Sequence, residues 1–227
     1  MRVRNILGLA VTALALSATA VTAQQRAWGG LVQGGIPVPM SDFDNAVGSA
    51  FGWGFGARYA PEAKNFALRL DIENSRFNID NPDILSNAAW DADDGYARIW
   101  DFQLNGEFGM RNDAKFRLYG LAGIGYGNVY GAVTNGTLAS GCYWDPWWGY
   151  ICGTGVVDEI LADGDRWGFS GRVGAGASYK IGTWGPTLFL EARYSMIMTG
   201  GDTYENDPQA RETKNTTWLP IMIGVKF

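Results

Sequence analysis

From residue 27 onward, apolar and polar positions alternate with a period of two, and helical spacing is nearly absent. The last run shows this best: Leu219, Ile221, Ile223, Val225 and Phe227 share one face, and Trp218, Pro220, Met222, Gly224 and Lys226 share the other. In Leu188–Met198 the apolar face opposes Glu191, Arg193 and Ser195, and in Trp167–Ile181 it opposes Ser170, Arg172 and Lys180. Trp100–Met110 sets Phe102, Leu104 and Phe108 against Asp101, Gln103 and Glu107. The same rule holds for Ala50–Tyr59, Phe66–Phe77 and Phe116–Val133, and more weakly for Ala27–Ile36, where glycine occupies both faces. Eight strands are predicted.

Their connections alternate in length. Ala60–Asn65, Arg111–Lys115 and Gly182–Thr187 are short and rich in turn residues. Pro37–Ser49, Asp80–Tyr96, Thr134–Asp165 and Gly201–Asn215 are long. Such asymmetry suits a membrane barrel with short periplasmic turns and long extracellular loops. The expected fold is therefore all-β: an eight-stranded antiparallel up-and-down transmembrane β-barrel with both ends of the chain on the periplasmic side.

The charges decide which face meets lipid. Within the strands the polar faces carry Arg58, Arg69, Asp71, Glu73, Asp101, Glu107, Arg117, Arg172, Lys180, Glu191 and Arg193, six basic and five acidic. Near-neutrality is what an enclosed, mutually paired network needs, since an unpaired buried charge is costly. A lumen of eight strands is also too narrow for all the large apolar side chains. The apolar face is thus expected outward, with the 32 glycines leaving room for long charged side chains within. Aromatic residues near strand ends (Trp28, Tyr59, Phe66, Phe108, Phe116, Trp167, Tyr179, Trp184 and Phe227) fit the two interfacial girdles of such a barrel.

Met1–Ala23 has the form of a secretory signal, with Arg2 and Arg4 ahead of an apolar run and Val21-Thr22-Ala23 as a small-residue cleavage site. The barrel domain is then expected over residues 24–227.

At this point the chain resembles a known group. The segment from Leu118 to Tyr126 (LYGLAGIGY) and the terminal run Leu219–Phe227 are similar to those of small OmpA-like or OmpX-like outer-membrane β-barrels. The resemblance implies that Phe227 belongs to a C-terminal signal read by the barrel-assembly machinery. It implies little about activity, because such barrels include adhesins, structural proteins, small pores and enzymes. No peptidoglycan-binding domain is expected after the barrel, a departure from full-length OmpA.

Candidate chemistry is sparse. The enzymatic members of these barrels use a histidine, and this chain has none, so a non-enzymatic protein is expected. No cofactor or metal is expected either. Asp91-Ala-Asp93-Asp94-Gly95 lacks the third spaced ligand and the distal glutamate of a calcium loop. The acidic balance, −5 overall, argues against nucleic acid, and acid gathers in the long links. Lipid and lipopolysaccharide are the expected neighbours of a monomer. In the third link, Cys142 and Cys152 flank an Asp-Pro turn and are expected to close a disulfide ring after export. That ring displays Tyr143, Trp144, Trp147, Trp148 and Tyr150. Either these rings fold as a plug over the mouth, or they recognise an extracellular ligand. Two functions follow from the sequence: a structural or adhesin-like surface protein, or a narrow channel or carrier for small or hydrophobic solutes.

Overall fold

A computed structural model describes residues 27–48, 51–61, 63–87, 90–145, 149–182, 185–199 and 215–227. The leader, Trp147, Trp148, Trp184 and most of the fourth link lie outside the described residues. The strands are β1 (Trp28–Met40), β2 (Phe51–Tyr59), β3 (Phe66–Asn78), the two-residue β4 (Ser86–Asn87) and β5 (Trp90–Asp91), β6 (Asp94–Gly109), β7 (Phe116–Asp145), β8 (Gly149–Lys180), β9 (Thr187–Met198) and β10 (Thr216–Lys226). Eight of them close a barrel in the order β1-β10-β9-β8-β7-β6-β3-β2, every pair antiparallel. The eight-stranded up-and-down barrel expected from the sequence is the fold.

Alternation sorts the side chains as the pattern implies. Ile124, Phe169 and Ile223 are 74%, 71% and 63% exposed on the outer wall, whereas Glu107, Glu191 and Arg193 are fully buried inside. This polar-in, apolar-out arrangement is stable only when hydrocarbon surrounds the wall. Some inward glycines are required by crowding. A Cβ on Gly54 would lie 2.7 Å from Glu73 Cγ, and one on Gly176 would lie 2.6 Å from Glu191 Cγ.

Four expectations change. The segment Thr134–Asp165, expected as a long loop, is instead paired: β7 and β8 continue to Asp145 and Gly149, leaving only 146–148 between them. The cause of the misreading is a bulge. Val133 faces Ala162 but Thr134 faces Ile160, so Leu161 is an extra residue. One inserted residue reverses the side of all that follow, so simple alternation breaks where the strand does not. Second, β1 runs through Pro37 to Met40, pairing with β10 up to Met40↔Thr217. Third, β6 begins at Asp94 rather than at Trp100, after a helical turn at Pro82–Leu85 and the β4–β5 hairpin. Fourth, the interior is not charged throughout, as described next.

Candidate functional site: the barrel interior and its rims

Towards the short turns, the lumen holds a continuous ionic lattice. Glu107 on β6 is its lower hub and accepts hydrogen bonds from Arg58 (2.9 Å), Arg117 (2.6 Å), Lys226 (3.0 Å) and Arg69 (3.3 Å). Arg69 also donates to Asp71 at 2.7 Å and, through both terminal nitrogens, to Glu191 at 2.7 and 3.1 Å. Glu191 takes further bonds from Tyr119 (2.5 Å) and Arg193 Nε (2.7 Å). Higher up, Arg172 grips Glu73 with two bonds of 2.8 and 2.7 Å and reaches Asp101 at 2.9 Å. Arg193 bonds Glu73 and Gln33, and Gln33 returns a 2.6 Å bond to Glu73. Asp101 is completed by Ser170 at 2.7 Å and Gln103 at 3.0 Å. Bidentate guanidinium–carboxylate pairs are the geometry in which burial of both ions is tolerable. At the exposed turn beyond the lattice, hydrogen bonds from Arg111 hold the Asp113 carboxyl below its ordinary range.

Towards the long links the filling changes to carbon. Phe77, Ala97, Ile99, Ile197 and Trp218 point inward from β3, β6, β9 and β10 and are buried together with Val47. Phe43, from the turn Ser41–Phe43 that follows β1, sets its ring edge-on to Phe77 with centroids 5.0 Å apart. Val47 bridges to Ile79, so the β1–β2 connection folds into the mouth.

Arg58, Arg69, Asp71, Glu73, Asp101, Glu107, Arg117, Arg172, Glu191 and Arg193 are thus drawn into one lattice. Lys180 is not. It sits half-buried as the last residue of β8, where its backbone N–H bonds Lys115 O, two residues past Ser178, which stands opposite Arg117. Lys226 occupies the sixth basic position instead, with Tyr119 2.9 Å away and the Phe189 ring beneath its ammonium. The signal for it was its own alternation: Lys226 shares the inward face of β10 with Trp218 and Met222. Gln33, Gln103, Asn105 and Tyr119 are further lattice members that a count of formal charges overlooks.

At the rims, Trp28, Phe66, Phe108, Phe116, Tyr179 and Phe227 stand exposed around the short-turn end. Phe227 N–H bonds Gly30 O at 2.9 Å, which fastens the last residue to β1. At the other end, the registers align Trp53, Asn74, Trp100, Asn128 and Trp167 in one outward row. Beyond it, Asn135–Asp145 and Gly149–Glu159 pair only with each other, as a two-stranded ribbon. In it Cys142 is directly opposite Cys152. The side chains of Cys142, Tyr143, Trp144, Tyr150 and Cys152 are outside the described ones.

The profile of the outer membrane protein beta-barrel domain matches residues 7–182. The chain belongs to that family. Among solved structures, a major outer membrane protein from Thermus thermophilus superposes with a TM-score of 0.54 at 11% identity, over 89% of this chain and 99% of that one. The Neisserial surface protein A gives 0.50 at 13% identity, over 88% and 96%. At such identities the likeness speaks to the fold. No curated protein sequence matches significantly.

Proposed function

We propose that this outer-membrane barrel is a non-enzymatic monomer acting at the cell surface, in envelope integrity or adhesion, rather than a conduit. The observation supporting this is the filled lumen. An ionic lattice crosses one half and a hydrocarbon cluster around Trp218 crosses the other, so the functional surface is what projects outside. The leader Met1–Ala23 exports the chain, the assembly machinery reads Phe227, and the long links face the exterior. The recognition residues are Tyr143, Trp144 and Tyr150 of the ribbon, together with Trp147 and Trp148 of the sequence between its strands. Opposition of Cys142 and Cys152 supports a bond between them, because directly opposed antiparallel residues have Cα atoms about 4.5–5.5 Å apart, within disulfide reach.

Planar-bilayer recording tests the reading: the purified barrel should give no stable single-channel steps in molar salt. Steady conductance from the wild-type barrel overturns it. The second reading, a carrier for hydrophobic solutes, is favoured by one feature. A groove of about 570 Å³ indents the outer wall where Gly171 stands between Ile124 and Met196. On that reading, Gly171→Leu abolishes protein-dependent transfer of a fluorescent fatty acid into vesicles.

A further inference from the structure

On the outer wall, one rung beyond the row of Trp53, Trp100 and Trp167, the registers align Phe51, Arg76, Arg98, Tyr130 and Asp165. Arg76 and Arg98 are therefore direct cross-strand neighbours on β3 and β6, side by side on the face that meets the membrane. Like charges so placed repel and destabilise a sheet. Their guanidinium carbons nevertheless gather over a single ring, that of Tyr96, at 4.7 and 5.6 Å.

Neither arginine has a carboxylate partner among the described residues, in contrast to every arginine of the interior lattice. The nearby acids are engaged elsewhere. Asp94 accepts the Gly95 N–H at 2.7 Å, Asp163 lies beside the Tyr130 hydroxyl, and Asp165 takes a 3.5 Å contact from Asn128. Tyr96 in turn leans on Tyr130, with centroids 6.0 Å apart, which holds the platform in place.

Tryptophan on a barrel's outer wall prefers the level where hydrocarbon meets headgroups, and Trp100 stands two residues from Arg98 on the same face of β6. One rung outward is about 7 Å along a strand, the depth of the headgroup itself. We propose that Arg76 and Arg98, seated on Tyr96, clamp the phosphate of a lipid headgroup in the outer leaflet. Two adjacent guanidinium forks match the oxygens of a phosphate, and the anion removes the repulsion between them. The inference rests on the orientation given above, with the long links outside.

The test uses the full barrel in phosphatidylcholine nanodiscs doped with diphosphoryl lipid A, and native mass spectrometry counts the lipid A retained on the released protein. Wild type should retain it, and R76Q/R98Q should retain about tenfold less, the loss expected for removal of charge-assisted bonds. R76K/R98K should fall between, and fully dephosphorylated lipid A should bind weakly and equally to both. R111Q, at the opposite rim, should behave as wild type. Equal retention by wild type and R76Q/R98Q overturns the clamp, and so does displacement of lipid A by millimolar inorganic phosphate, which marks a soluble-anion site. If the double variant fails to assemble, R76Q and R98Q alone carry the same criteria. Protease added to intact cells reads the orientation separately, by cutting within 134–165 and sparing 60–65. Wrong orientation sinks both proposals, whereas indifference to the arginines in a correctly oriented barrel sinks the clamp alone.

Discussion

In the half of the lumen near the short turns, one carboxylate, Glu107, meets Arg58, Arg69, Arg117 and Lys226; in the other half, Trp218, Phe77 and Ile99 fill the same width with carbon. The two fillings constrain the wall differently. A buried ion must find its partner at a fixed distance and angle, and the partners come from β2, β3, β6, β7 and β10, so the lattice locks strand register. A hydrocarbon cluster asks only for volume, and cores tolerate exchanges that conserve it. The lattice thus specifies the barrel, and the cluster seals it.

The largest test of this contrast is Glu107→Leu. Four cations lose a shared partner, and the barrel should lose about 5 kcal/mol of unfolding free energy, the upper end for a broken buried pair. Urea titration in lipid vesicles measures it, and a loss below about 1 kcal/mol would make the lattice dispensable. Trp218→Ala comes next, at about 3–4 kcal/mol from the cavity it opens. On the proposed function it should also introduce flickering conductance in planar bilayers that wild type does not show, since it opens the apolar half of the lumen. A finer comparison sets Glu191→Asp against Ile197→Val, each a deletion of one carbon. The shorter carboxylate abandons Arg69, Tyr119 or Arg193 and should cost about 2 kcal/mol, whereas the missing methyl should cost about 1 kcal/mol. Equal costs would erase the distinction between the halves. Smallest is C142S/C152S, outside both halves: the barrel's urea midpoint should not move, and only proteolysis of the ribbon tip should quicken.

Much of this was legible in the sequence, and what was not has identifiable causes. Alternation located every barrel strand, because one wall faces lipid along the whole circumference. It stopped at Val133 because Leu161 breaks the period while hydrogen bonding continues. The charged lattice was legible from formal charges on the inward faces, except at the end of β8, where Lys180 stays outside it and Lys226 takes the sixth basic place. The apolar half was overlooked for another reason. Phe77, Ile99 and Ile197 share the parity of Glu73, Asp101 and Arg193, so alternation places them inward, but a reading that follows the charges on the inward face passes over its apolar members. The pair of Arg76 and Arg98 is likewise invisible in sequence, since only the β3–β6 register makes them neighbours.

The seam between β1 and β10 carries Pro37 opposite Pro220, with Pro39 two residues away, so that stretch of the junction has no amide hydrogens to donate at three positions. Lys226 compensates from the far end of the same strand. Its ammonium crosses the lumen to Glu107 on β6 and Tyr119 on β7, a reach available only once the final strand lies beside the first. It works as a latch thrown from inside a finished ring. A ring left open keeps Lys226 away from both partners, so complete ionic pairing at the hub is itself the chemical mark of closure.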